Sequence, residues 1–183
     1  MSLVEITPSR HGVVLDLAYA GAGNFTGRPV YGRAACYLHA DAERLLLRAA
    51  ELAAAQRLGL KIFDAFRPSQ AQWILWNHTP DPEFLADPRR GSPHSRGVAV
   101  DLTLVDQEGE VLDMGTDFDA FTPKSHHGST GVPAPAQRNR CLLLALMTAA
   151  GWDFYRNEWW HYQMFDSRRY PVLGDGDLDQ GIM

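Results

Sequence analysis

Leucine and alanine recur at helical spacing between residues 41 and 58, where Leu45, Leu46, Ala49, Leu52 and Ala53 form one apolar stripe. The pattern predicts a helix capped by Asp41 and stopped by Gly59. Leu60 to Phe66 is a short apolar run that reads as a buried strand ending at Arg67-Pro68. Ser69 to Trp76 reads as a second helix with Ser69 as its cap, and Asn77 to Gly91, rich in Pro, Asp and Arg, as an ordered loop. Gly97 to Val105 has the alternation of a strand (Val98, Val100, Leu102), and Gln107-Glu108-Gly109 predicts a turn back through Val111 and Leu112. A long loop follows from Gly115 to Pro135, a length usually functional or mobile inside a compact domain. Pro135 opens a helix to Ala150 closed by Gly151, and a last strand pair is expected at 152–155 and 158–165. Helices and strands mixed in this way, with a hairpin rather than repeated crossovers, predict an α+β class.

Composition narrows the picture. The 183 residues fit one domain over 1–183, with no repeat or linker dividing them. Hydrophobic residues make up 45% and charged residues 21%, which speaks against disorder or a coiled coil. A formal charge of −5 argues against a nucleic-acid partner and gives no reason to sit on an anionic membrane. Residues 1–12 lack the basic start and apolar stretch of a secretory signal, and no apolar run is long enough to span a bilayer, so a cytoplasmic location is expected. Cys36 and Cys141 match no disulfide framework or paired metal motif and read as small buried apolar residues.

Three segments carry chemistry: Ser92-Pro93-His94-Ser95-Arg96-Gly97-Val98-Ala99-Val100-Asp101, Glu158-Trp159-Trp160-His161 and Asp64-Ala65-Phe66-Arg67-Pro68. A catalytic zinc takes three N or O ligands and keeps one position open. His94 in a turn, Asp101 seven residues on and His161 from a second strand could supply them, though iron or manganese would tolerate the same set. Each also has an ordinary reading. His94 beside Ser and Arg could be a hydrogen-bonded side chain, and His161 a neighbour of an aromatic core. Asp101 is harder to dismiss, because a carboxylate in a Val/Ala/Leu strand is costly unless paired or metal-bound.

Glu158 is the candidate general base beside such a metal, against the plainer reading of a surface glutamate. In a regular strand, residues three apart face opposite ways, so that role requires Glu158 to lie in a turn after Asn157 or at a bulge. Arg67, at the end of an apolar strand, could meet an oxyanion, with Asp64 either as a structural partner or as the group that orients it. His126 and His127 form a rival metal pair, which on a polar loop reads as solvent-exposed.

These segments together resemble the D-alanyl-D-alanine dipeptidases, the VanX-type zinc enzymes among the D-Ala-D-Ala metallopeptidases. The resemblance continues in Asn24 to Val30, in Asp113 to Asp119, in Ser125-His126-His127 and in Gln137 to Arg140, covering about Asp16 to Tyr162 in order and spacing. It implies an antiparallel sheet with flanking helices, one zinc on His94, Asp101 and His161, Glu158 as base and Arg67 as the group stabilising the tetrahedral intermediate. It also implies that Asp119, Tyr19 and Ser92 contact the free amino end of a D-dipeptide, as an ammonium would require.

The expected reaction is hydrolysis of D-Ala-D-Ala to two D-alanines. The alternatives are a carboxypeptidase trimming peptidoglycan stem peptides and a non-catalytic zinc-binding domain on the same fold, as in the hedgehog signalling domain. Retention of both Glu158 and Arg67 weighs against the latter.

Overall fold

The computed structural model describes residues 3–183. In chain order the main elements are β1 (Leu3–Ile6), α1 (Pro8–His11), β2 (Val13–Leu15), β3 (Cys36–His39), α2 (Ala40–Ala55), β4 (Gly59–Asp64), α3 (Ser69–His78), β5 (Ala99–Val105), α4 (Ala134–Ala149), β6 (Asp153–Phe154) and β7 (His161–Gln163). A five-stranded sheet has the order β2-β4-β5-β7-β6, and β1 pairs with β3 in a separate two-stranded sheet. The large sheet is antiparallel except at one edge, where β2 runs parallel to β4. The expected α+β fold, an antiparallel sheet with flanking helices, is present with this one parallel edge added. Parallel neighbours need a long crossover, and here the crossover contains β3 and α2.

The stripe on α2 buries Leu46, Ala49 and Ala53 completely, together with Ala42. The helix begins two residues earlier than its sequence suggests. His39 is the cap, its ring accepting from the Asp41 amide at 3.1 Å, while Asp41 itself lies in the first turn, where a carboxylate suits the positive end of the helix. Gly59 does not stop the helix either. The left-handed residue after its end is Arg57 (φ 58°), and Gly59 already belongs to β4. A Cβ at Gly59 would come within 2.9 Å of the Val105 side chain on β5, which is why this strand starts with glycine.

The face of β5 carrying Val100, Leu102 and Leu104 packs with Leu46, Leu143 and Met147 from α2 and α4 in the main core. The expected alternation of β5 is present, but all seven of its residues are buried. Lying at the centre of the sheet, it has helices over one face and the site over the other. The hairpin after β5 shrinks to a bridge between Val105 and Val111 and a bond from the Leu112 amide to the Leu104 carbonyl. The final strand pair is likewise shorter than predicted, and 155–160 form turns between β6 and β7.

A second cluster, with Tyr19, Tyr31, Ala71, Leu75, Leu85 and Ile182, packs α3 against the loops. Cys36 is buried in the main core as expected, whereas Cys141 is exposed on α4. The burial of Cys141 is therefore corrected: it lies off the face that packs Leu143 and Met147. No helix among the described residues is long and apolar enough to cross a membrane.

Candidate active site

Three strands bring the acidic and imidazole groups into one row. Asp101 on β5 pairs directly with His161 on β7, and on its other side with Asp64 on β4. Directly paired residues share a face of the sheet. Asp64 reaches that face through an irregularity between Ile62 and Asp64, which spends an extra residue on β4 and re-aims the side chain. His94 arrives from outside the sheet in a single turn, His94–Arg96, closed by Gly97 at φ +68°. A Cβ at Gly97 would lie 2.6 Å from the Leu3 side chain, so the turn has both conformational and steric need of glycine.

The hydrogen bonds assign the imidazole tautomers. His94 Nδ1 lies 2.7 Å from the Ala65 carbonyl oxygen, a pure acceptor, and so carries the hydrogen. His161 Nε2 lies 3.1 Å from Gln163 Oε1 and donates there. Each ring thus turns its lone-pair nitrogen inward. His94 Nε2 and His161 Nδ1 are 3.0 Å apart, and they stand 3.3 and 3.0 Å from Asp101 Oδ1. Three electron-pair donors meet with no hydrogen between them, an arrangement that repels itself unless a cation sits among them. Histidines held through their outer nitrogens are the usual form of metal ligands. Two imidazoles and a carboxylate are a donor set that fits a catalytic divalent metal, zinc included. Among the described residues, these three form the group whose ligand atoms lie within 4.8 Å of one another.

Arg67 is buried beside this cluster and fully engaged. Its Nε donates to Asp64 Oδ2 at 2.8 Å, one terminal nitrogen to Gln72 Oε1 at 2.9 Å, and the other approaches Asp101 Oδ2 at 3.5 Å. The guanidinium carbon lies 5.0 Å from the centre of the Tyr19 ring. Asp64 in turn accepts from the Tyr31 hydroxyl at 2.8 Å. Desolvation raises the Asp64 carboxyl and Arg67 opposes that rise, so Asp64 both anchors and orients the guanidinium.

Glu158 occupies the turn before β7. Its amide bonds to the Tyr155 carbonyl, and its own carbonyl receives the His161 amide. The side chain is therefore free of strand alternation, and its Oε2 comes within 3.8 Å of His161 Nδ1. Desolvation, then the Asp101 and Asp119 carboxyls, raise its proton affinity well above that of an ordinary glutamate.

Tyr19 donates to Asp119 Oδ2 at 2.8 Å. Asp119 has a left-handed backbone (φ 58°), which Asp tolerates better than most residues. It is half-buried and lines the cavity; desolvation there pushes its carboxyl up to about 8, against the Tyr19 hydrogen bond. Ser92 is buried, and its hydroxyl accepts from the His94 amide at 3.2 Å. Tyr19, Arg67, Ser92, His94, Asp101, Asp119, Glu158 and His161 line a single cavity of about 260 Å³, walled also by Phe84, Leu85, Tyr155 and Trp160, while Asp64 stands behind Arg67 outside it. That is smaller than the about 300–1,000 Å³ typical of drug-sized ligands and suits a very small molecule.

Three polar residues of the site were not singled out from the sequence. Gln163 sits two residues after His161 in the same strand, so period-2 alternation could have found it. Gln72 and Tyr31 reach Arg67 and Asp64 only through tertiary packing, and no local signal marks them. His126 and His127 are not the exposed pair that was expected. The His127 ring packs 5.0 Å from Phe154, and burial pushes the imidazole down to about 4. They lie apart from the His94–Asp101–His161 group.

A family model described as Peptidase_M15, D-ala-D-ala dipeptidase, matches residues 1–173. A D-alanyl-D-alanine dipeptidase of Escherichia coli (strain K12) is 44% identical over 173 residues, covering 94% of this chain and 90% of the relative. Proteins of the same name from Enterococcus faecium and Streptomyces coelicolor are 36% and 34% identical, over 88% and 84% of this chain and 90% and 86% of theirs.

Proposed function

The chain belongs to the M15 D-Ala-D-Ala dipeptidase family of metallopeptidases, and from that premise we propose that it hydrolyses free D-Ala-D-Ala to two D-alanines with one zinc ion held by His94, Asp101 and His161. The observation that carries the reading is the convergence of two imidazole lone pairs and a carboxylate on the wall of a small cavity. When bound, zinc supplies a Lewis acid for the scissile carbonyl and lowers the pKa of water toward about 7.

The protein's own groups supply the rest. Glu158, with its raised proton affinity, takes a proton from the attacking water and delivers it to the departing amine. Arg67, already positioned by Asp64 and Gln72, offers a fixed positive charge to the carbonyl oxygen as that oxygen becomes negative. Because its partners hold it in place, little reorganisation is needed when charge develops. Asp119 and Tyr19, with Ser92, receive the substrate's ammonium and so register the dipeptide against Glu158 and Arg67.

The test is D-alanine release from free D-Ala-D-Ala by the zinc-loaded protein, beside the N-acetylated dipeptide. Release from the free dipeptide alone is expected. Comparable cleavage of the blocked compound would move the reading to a carboxypeptidase, and no cleavage of either would favour a zinc-binding domain without turnover. Metal analysis of the purified protein should return about one zinc per chain.

A further inference from the structure

The loop after α3 crosses the cavity, contributing Pro82, Phe84, Leu85 and Ala86 to its wall. It is attached at both ends of that crossing through backbone carbonyls. Gln72 donates to the Ala86 carbonyl at 2.7 Å, using the other end of the amide that receives Arg67. On the far side, the Tyr155 hydroxyl donates to the Glu83 carbonyl at 2.8 Å, and the Asn157 amide reaches the same oxygen at 3.4 Å and the hydroxyl at 3.2 Å. Between these anchors Phe84 stacks on Phe121, with centroids 5.0 Å apart and planes at 7°. Phe121 is two residues from Asp119, so the stack ties the roof to the segment that carries the ammonium-binding carboxylate.

We propose that Tyr155 determines substrate length: by clasping the Glu83 carbonyl it fixes residues 81–87 as a roof that shuts the cavity beyond a dipeptide. The inference rests on the dipeptidase reading and assigns its selectivity to a residue without a role in the chemistry. The tyrosine ring lines the cavity, and Tyr155→Phe keeps that ring while removing only the hydroxyl. Among the described residues the Glu83 carbonyl accepts from Tyr155 and from Asn157, and the Asn157 bond is the longer. Loss of the hydroxyl should therefore loosen the roof without removing a catalytic group. A peptide extended at its amino end presses against Phe84 and the Asp119 segment, and tolerance of that extension measures how firmly the roof is held.

The experiment compares wild type with Tyr155→Phe on D-Ala-D-Ala, D-Ala-D-Ala-D-Ala and N-acetyl-D-Ala-D-Ala. The ratio of kcat/KM for either longer compound to that for the dipeptide should rise about threefold to tenfold, the scale of one hydrogen bond. Asn157→Ala, outside the cavity wall, should shift the same ratio in the same direction and by less. Amide hydrogen exchange over 81–87 should quicken in both variants with no change in bound metal, which reads the clasp without reference to turnover. Unchanged ratios with faster exchange would refute the selectivity role, and unchanged exchange would refute the clasp. A wild type inactive on the free dipeptide would overturn the dipeptidase reading, and the length filter with it, while the exchange result still judged the clasp separately.

Discussion

Replacing Asp119 with asparagine should expose the role of one carboxylate through its pH dependence. In the free protein, desolvation pushes the Asp119 carboxyl up to about 8. Below that pH the side chain is mostly neutral, and binding an ammonium beside it requires loss of a proton. Each unit below pH 8 should therefore weaken the ammonium contact by up to about tenfold. At pH 8, an ammonium–carboxylate hydrogen bond contributes about 1.5–3 kcal/mol, or about 10- to 150-fold in kcat/KM. The wild-type to Asp119→Asn ratio of kcat/KM should thus climb from near unity at pH 6 to that value at pH 8. It should flatten above about pH 8, where a dipeptide amine loses its own proton. A ratio independent of pH, or a variant as active as wild type at pH 8, would refute the assignment. The same shift makes a claim about stability. A carboxyl raised on folding contributes stability that is complete below about pH 4 and lost as pH rises through about 8. Asp119→Asn should accordingly melt higher than wild type at pH 8 by a larger margin than at pH 5.

Glu158→Gln should lower kcat by about 10²- to 10⁴-fold with bound metal unchanged, since it removes proton transfer but no ligand; metal loss would instead make Glu158 part of the metal site. His161→Ala should fail to retain zinc on elemental analysis, and a full complement would break the ligand assignment. Chelating the wild-type metal should lower the melting temperature, because a ligand at about 100 times its Kd stabilises the native state by about 2.7 kcal/mol. Arg67→Lys should reduce kcat by about 10²- to 10³-fold with little change in KM. An ammonium can meet Asp64 but cannot also hold Gln72 and face the carbonyl in the guanidinium's fixed geometry. An unchanged kcat would remove Arg67 from the oxyanion role.

Local chemistry wrote much of this molecule into its sequence. The stripe of α2, the apolar run of β4 and the alternation of β5 follow from side-chain periodicity, a property of short segments. The three motifs made His94, Asp101, His161, Glu158 and Arg67 candidates, and an aspartate in an apolar strand was already suspect on desolvation grounds. What the motifs left open was settled by packing. The turn at 155–158 frees Glu158 from strand alternation, and the irregularity in β4 brings Asp64 beside Asp101. Strand order across the sheet makes Asp101 the neighbour of both Asp64 and His161, across separations no local pattern encodes. The first forty residues carry strands too short to announce themselves. The parallel edge, the exposure of Cys141 and the burial of His127 depend on which surface covers which. Gln72 and Tyr31 are ordinary residues until the fold places them against Arg67 and Asp64. Periodicity and desolvation act within a segment and can be read along the chain, whereas neighbours distant in sequence become partners only when the whole core has closed around them.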